Sequence, residues 1–333
     1  MELGFYLGYA PPGTNPRDLI ELAQEAERLG YRSAWAAEAW GTDAVTVLAW
    51  LAATTSTIEV GSAIMQIPAR TPGNTAMTAA TLDLMSGGRF ILGLGTSGPQ
   101  VVEGWHGRPW GKPLTRTREY VELVRRALRR EPLELEGDEY RIPYAGVGAT
   151  GLGKPLKLMM RPLRADIPIY LAALSPKNVR LAFEIGDGWL PIFFSPEKAR
   201  EAFGYEPRDG FEIAPSATVI VSDDVESARD AVRPLLALYV GGMGARGANF
   251  YNALVRRYGY EGEAERIQEL YLEGKQREAI AAVPDALVDE VALVGPRERI
   301  RDRLDAWRES GVTRLLVATH DVGTLRAMAE LTL

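Results

Sequence analysis

The stretch Ile58–Gln100, IEVGSAIMQIPARTPGNTAMTAATLDLMSGGRFILGLGTSGPQ, decides the fold. It reads as a strand at Glu59–Ala63, a loop, a helix at Asn74–Met85 closed by Gly87-Gly88, and a second strand at Phe90–Leu94. The second strand is apolar almost throughout. A strand hydrophobic on both faces belongs to a parallel sheet covered by helices. Gly93, Gly95 and Gly98 mark its C-terminal end, where missing side chains let a ligand approach the backbone. This one segment points to an α/β fold and to the place of a site.

The alternation extends both ways from there. Upstream, Leu3–Leu7 is an apolar strand that runs into the turn-rich loop Gly8–Asn15. Asn15-Pro16 opens a helix, as cap and first helical residue, and Gly30 stops it. Ser33–Ala36 is a strand, Glu38–Thr42 the loop at its end, and Asp43–Thr54 a helix. Downstream, the loop Gly95–Leu114 carries Trp105, His106 and Trp110, and Thr115–Arg130 is a charged helix. Leu133–Leu163 lacks a helical pattern, is rich in glycine and proline, and reads as an excursion holding a small hairpin. Further strands follow at Ile169–Leu171, Trp189–Pro191, Ala217–Val221 and Arg314–Ala318, with helices at Pro176–Ile185, Pro196–Phe203, Val225–Leu238, Arg297–Glu309 and Thr324–Leu331. Gly241–Val283 is an additional, mostly helical insertion, suited either to covering a barrel mouth or to extending a dimer contact.

Eight strands, most followed by helices, imply parallel pairing through right-handed crossovers. That pattern predicts an α/β fold, a (β/α)8 TIM barrel forming one domain over residues 1–333, with loop and helical insertions. An open doubly wound sheet is the runner-up. It lacks a G-x-G-x-x-G element opening a helix after the first strand.

Composition narrows the function. The 333 residues are 46% hydrophobic and 25% charged, with a net charge of −6 and no long basic run, which argues against general nucleic-acid binding. With no cysteine and two histidines, His106 and His320, the chain has no disulfide, thiolate nucleophile or multi-histidine metal site. No window approaches a transmembrane span and the N-terminus does not read as a signal peptide, so no membrane contact is expected and the cytoplasm is the expected compartment.

In a barrel the chemistry sits on loops at the C-terminal strand ends. Those loops are rich in glycine, small residues and aromatics, which suit a flat ring and a phosphate. Ser175-Pro176-Lys177-Asn178 stands at a strand-to-helix junction, where free amides can seat an anion, although Ser175 may be read equally as a plain helix cap. Gly95-Thr96-Ser97-Gly98-Pro99-Gln100 is either a ligand loop or a flexible turn. Glu38 ends the second strand. It could move a proton if burial raises its pKa, or simply bind backbone amides and a nearby arginine. His106 could donate a proton or hydrogen bond, while Arg70 and Arg161 could meet anionic parts of a ligand.

The stretches GSAIMQIPARTP, LDLMSGGRFILGLGTSGPQVVEGWHG, IPIYLAALSPKNVRLAFEIGDGWLP and VGPRERIRDRLDAWRESGVTRLLV together resemble the luciferase-like flavin and deazaflavin superfamily. They are most similar to its coenzyme F420-dependent branch, the group of methylenetetrahydromethanopterin reductase. The resemblance covers nearly the whole chain. It implies a barrel, usually homodimeric, that transfers a hydride between C5 of the deazaflavin and a small organic substrate. It also implies a non-prolyl cis peptide at Ala63-Ile64 behind the ring, and cofactor contacts from Ala63, Ile64, Gln66, Gly95, Thr96, Gly98, Gln100, Ala173, Ser175, Lys177 and Asn178. Glu38 and His106 would be the catalytic candidates, and Tyr9, Trp40 and Trp105 the substrate-pocket walls. The F420 enzymes commonly follow the acid at Glu38 with histidine, where this chain has Ala39. Two alternatives stand beside this reading: an FMN-dependent monooxygenase of the same superfamily, and a non-catalytic F420-binding protein.

Overall fold

The computed structural model describes residues 1–9 and 15–333, so most of the expected loop Gly8–Asn15 lies outside the described residues. Among the described residues, eight parallel strands follow one another around a barrel. They are β1 (Glu2–Gly8), β2 (Ser33–Ala36), β3 (Glu59–Ser62), β4 (Phe90–Gly95), β5 (Ile169–Leu171), β6 (Gly188–Trp189), β7 (Ser216–Val221) and β8 (Arg314–Ala318). β1 pairs with both β2 and β8, with Leu3 opposite Leu315. Closure falls to one strand broken at Ala214-Pro215. Its first half, Glu212–Ile213, pairs with β6, and its second half, β7, pairs with β8. A short strand, Leu293–Gly295, adds to the free edge of β7. Sequence patterning passed over it because three apolar residues after a helix carry no period of their own.

Helices cover the outside: α1 (Pro16–Arg28), α2 (Ala44–Thr54), α3 (Pro72–Met85), α4 (Pro99–Gly104), α5 (Pro113–Leu128), α6 (Pro176–Ile185), α7 (Ala199–Phe203) and α8 (Val225–Ala237). They continue as α9 (Phe250–Arg257), α10 (Glu261–Leu272), α11 (Gln276–Ala281), α12 (Asp285–Val291), α13 (Arg297–Glu309) and α14 (Val322–Thr332). Starts differ from the sequence expectation where caps were misplaced. α3 begins two residues early, because the Thr71 hydroxyl accepts from Asn74 N at 3.2 Å and Pro72 takes the first helical position. α7 begins at Ala199 rather than Pro196, since residues 196–198 form a turn. Leu135–Glu136 and Arg141–Ile142 pair as the small antiparallel hairpin of the excursion. No helix among the described residues is long and apolar enough to cross a membrane.

Alternation along each strand sorts side chains into two layers. Leu3, Phe5 and Leu7 of β1 face the helices, in the large outer cluster. Trp35, Ile91, Tyr170, Leu190, Ala214 and Leu316 fill the barrel itself. Glycine makes that filling possible. A Cβ at Gly61 would lie 2.3 Å from the Trp35 ring, and one at Gly188 would lie 2.8 Å from the Tyr170 ring. At the N-terminal floor, buried Arg314 binds Glu59 at 2.7 Å, Glu2 at 3.0 Å and Glu212 at 3.1 Å. One cation therefore joins the starts of three other strands and offsets their mutual repulsion.

β3 and β4 approach most closely where the site begins. The Ser62 hydroxyl receives Gly93 N and donates to Gly93 O, both at 2.8 Å, and a Cβ at Gly93 would fall 1.7 Å from the Ser62 carbonyl oxygen. Because the clash is with backbone, it cannot be relieved by a rotamer change. Gly93→Ala is expected to destabilise the fold by about 3 kcal/mol or more, read as a lower urea midpoint. A wild-type midpoint would contradict this account of the β3–β4 junction.

Candidate active site

A cavity of about 700 Å³ opens at the C-terminal ends of the strands. That size is ordinary for an organic ligand. Fourteen of the cofactor and pocket residues singled out from sequence line it: Tyr9, Trp40, Ala63, Ile64, Gln66, Gly95, Thr96, Gly98, Gln100, Trp105, Ala173, Ser175, Lys177 and Asn178. Glu38 lines it too. His106 is not among the lining residues but is bonded to one that is. Arg161 is exposed outside the cavity, and His320 is exposed beyond the end of β8.

Glu38 sits at the centre of a closed polar network. Arg70 grips it with both guanidinium arms, at 2.6 and 2.8 Å, while Gln66 N donates to it at 3.1 Å and Ala44 N at 3.4 Å. The Glu38 carboxylate is 7% exposed and both its oxygens are engaged, which favours the second of its two sequence readings, an anion bound by amides and an arginine. The same contacts revise the expectation for Arg70. It is occupied by Glu38 and by Asp43 at 2.7 Å, rather than free for a ligand.

The network reaches His106 through Gln66. The Gln66 amide nitrogen donates to Ala39 O at 2.6 Å, so its oxygen faces Ser97 Oγ at 2.7 Å and His106 Nε2 at 2.9 Å. With an acceptor opposite, Nε2 carries the proton and Nδ1 is left free. Burial holds the His106 pKa below the usual value; Glu38 raises it and Arg70 lowers it. His106 is therefore a neutral imidazole at pH 7. Ser97 adopts a left-handed backbone with φ 57°, which the bond to Gln66 helps to fix.

Across the cavity, the Ala63–Ile64 peptide is cis. Ile64 packs on the end of β4, where a Cβ at Gly95 would come within 2.8 Å of it. Gly98 meets nothing within 4 Å at its Cβ position, so the backbone of the loop Gly95–Gln100 is open at that point. Its end, Pro99–Gly104, is the short helix α4, which sequence reading took as loop. At α6, the Ser175 hydroxyl caps the helix by accepting Asn178 N at 3.3 Å and the Ser175 carbonyl accepts Val179 N at 2.9 Å, so with Pro176 lacking an N–H the Lys177 amide is the first-turn donor left over, at the cavity end lined by Lys177 and Asn178.

The sequence singled out neither Tyr6 nor the particular insertion residues that reach the site, although covering the barrel mouth was one of the insertion's two expected roles. Tyr239, just before the insertion, and Met243, Phe250 and Tyr251 within it line the cavity, so the start of the insertion lies over the barrel mouth. Tyr6 had a usable signal: it alternates with the outward Phe5 and Leu7 near the C-terminal end of β1. The insertion residues had none, because helix periodicity does not say where an insertion folds back.

Residues 1–314 match the family model described as luciferase-like monooxygenase. The chain belongs to this luciferase-like family. A Mycobacterium tuberculosis protein provisionally named coenzyme F420-dependent oxidoreductase Rv3520c is 46% identical to it, over 99% of each chain. The 5,10-methylenetetrahydromethanopterin reductase of Archaeoglobus fulgidus is 28% identical, over 90% of this chain and 88% of its own. Among solved structures, the F420-dependent tetrahydromethanopterin reductase of Methanopyrus kandleri superposes with a TM-score of 0.79 at 23% identity, covering 99% of this chain and 97% of that one. These luciferase-like neighbours agree with the barrel built above from strand pairing.

The network makes a specific pH prediction. His106 should titrate below the ordinary value of 6.5 when followed by proton NMR. Glu38→Gln should lower it further, by removing the negative charge that raises it and leaving Arg70 uncompensated. A rise in that variant would contradict the arrangement.

Proposed function

We propose that this protein is an F420-dependent oxidoreductase acting on a small organic substrate in the cytoplasm. The observation that carries the reading is one cavity bounded by the Ala63–Ile64 turn, the loop Gly95–Gln100 and the α6 N-terminus, in a chain 46% identical to an F420-named relative. The donor set fits such a group. A flat ring suits the apolar surface of Ala63 and Ile64 beside Gly95, and a phosphate suits the Lys177 amide and ammonium beside the Ser175 and Asn178 side chains. When bound, the deazaflavin supplies a two-electron hydride carrier. The chain's own part is to orient the reactants and exclude water. Glu38 and Arg70 brace Gln66, Gln66 fixes Ser97 and the His106 tautomer, and Trp40 and Trp105 flank the entrance.

Purified protein titrated with F420 and followed by cofactor fluorescence tests the reading. Saturable binding is expected, with Lys177→Ala weakening it about threefold to tenfold by loss of a charge-assisted contact. Tighter binding of FMN than of F420 would move the protein to the flavin monooxygenases. Binding without turnover across alcohols, aldehydes and enones would instead leave it a cofactor carrier.

We also propose that the chain works as a homodimer through the outer faces of α2 and α3. Trp50, Met77, Leu84 and Met85 are exposed there, and the only charged residue in either helix, Asp83, is buried against Arg164. An uncharged outer surface with four large apolar side chains exposed on two neighbouring helices calls for cover. Sedimentation should give twice the chain mass, and Met85→Glu should shift it toward monomer. A monomeric wild type at micromolar concentration would overturn the assignment.

A further inference from the structure

The cavity has two chemically different halves. One half carries the peptide wall and helix terminus described above. The other is walled by Tyr6 from β1 and Tyr9 just after it, Tyr239 and Met243 from the turn after α8, and Phe250 and Tyr251 from α9. It is a built surface rather than a gap. Asn249, itself buried, donates from its amide to Tyr239 O at 2.9 Å and Val240 O at 3.0 Å while its oxygen caps α9. The Tyr239 and Tyr251 rings meet edge to face, 4.7 Å between centroids, and Phe193 packs on Tyr239 at 5.2 Å.

Among the described residues no cation lines this half, and the nearest charge is the Glu38 carboxylate, close enough to Tyr9 to act on it. The charged side chains that line the cavity are Glu38, already held by Arg70, and Lys177, which stands on α6 in the other half. An anionic substrate placed among the tyrosines would lose its hydration and meet no cation, which is a heavy penalty. The polar groups on offer are phenol hydroxyls. Burial pushes the pKa of Tyr6, Tyr9, Tyr239 and Tyr251 upward, so they remain protonated donors at any physiological pH. Tyr9 and Tyr239 are neighbours close enough to interact through their hydroxyls.

We propose that this half is the substrate subsite, and that it selects an uncharged, largely apolar molecule bearing one carbonyl or hydroxyl oxygen, held by the Tyr9–Tyr239 pair. The inference rests on the reading of the opposite half as the cofactor seat. Its selectivity is mostly exclusion: a site with hydroxyl donors and no cation admits a ketone or enone and rejects a sugar phosphate.

The test uses the intrinsic fluorescence of the wild-type protein, since Trp40, Trp105 and Trp110 line the cavity. 4-Phenyl-2-butanone, cyclohex-2-enone and glucose 6-phosphate are titrated with and without saturating F420. The two neutral carbonyl compounds should bind and glucose 6-phosphate should not compete with them. Tyr9→Phe and Tyr239→Phe should each weaken the ketones about fivefold to tenfold, the loss expected from one neutral hydrogen bond, with F420 affinity and melting temperature unchanged. Met243→Lys should weaken the ketones and admit the sugar phosphate. Competition by glucose 6-phosphate in the wild type, or ketone affinity indifferent to both tyrosines, overturns the subsite, as does F420 binding with no carbonyl bound. Tyrosine-dependent ketone binding without F420 binding would sustain the subsite and reject the cofactor reading instead.

Discussion

The structure turns on one close contact, the meeting of β3 and β4 at Ser62 and Gly93. A backbone carbonyl occupies the space where any side chain at position 93 would begin. The Ser62 hydroxyl completes the junction by donating to and accepting from the same residue. With the two strand ends locked together, the residues that follow each of them have little freedom. Ala63 and Ile64 emerge directly above the contact, and Ile64 settles on Gly95. The peptide wall of the cavity is thus a consequence of strand packing below it. Scaffold and site share residues here, as expected where a barrel strand ends in a ligand loop.

Much of this was legible in the sequence because it is local. The apolar run Phe90–Leu94 carries the signature of a buried parallel strand, and Ser175-Pro176 carries that of a helix start. The barrel followed from counting such units, and the cofactor-side residues followed from the family resemblance of the loops at the strand ends. What escaped is non-local. Nothing near Glu38 in sequence announces that Arg70, thirty-two positions on, will consume both its oxygens. Likewise Tyr239 and Tyr251 reach the barrel mouth only because the Asn249 amide ties their two segments together. The strand Leu293–Gly295 was too short to carry a period.

The Glu38–Arg70 pair shows how a departure from a family pattern can be absorbed. Where the family resemblance leads one to expect histidine after the acid, this chain has Ala39, whose carbonyl receives the Gln66 side-chain amide. Gln66 then presents its oxygen to Ser97 and to His106, a histidine far along the chain from Glu38. An imidazole is therefore coupled to the same carboxylate through one intervening residue, Gln66, which meets Glu38 with its backbone N–H and His106 with its side-chain oxygen. The polar groups are satisfied, and the network can hold its geometry while ligands come and go.

The central claim is that the two halves of one cavity, set by the β3–β4 junction, hold cofactor and substrate separately. A crystal structure with F420 bound tests it most directly. The account predicts the ring against Ala63, Ile64 and Gly95, the phosphate at Ser175–Asn178, and the tyrosine half left open. A cofactor lying among Tyr6, Tyr239 and Tyr251, with its phosphate away from α6, would contradict it.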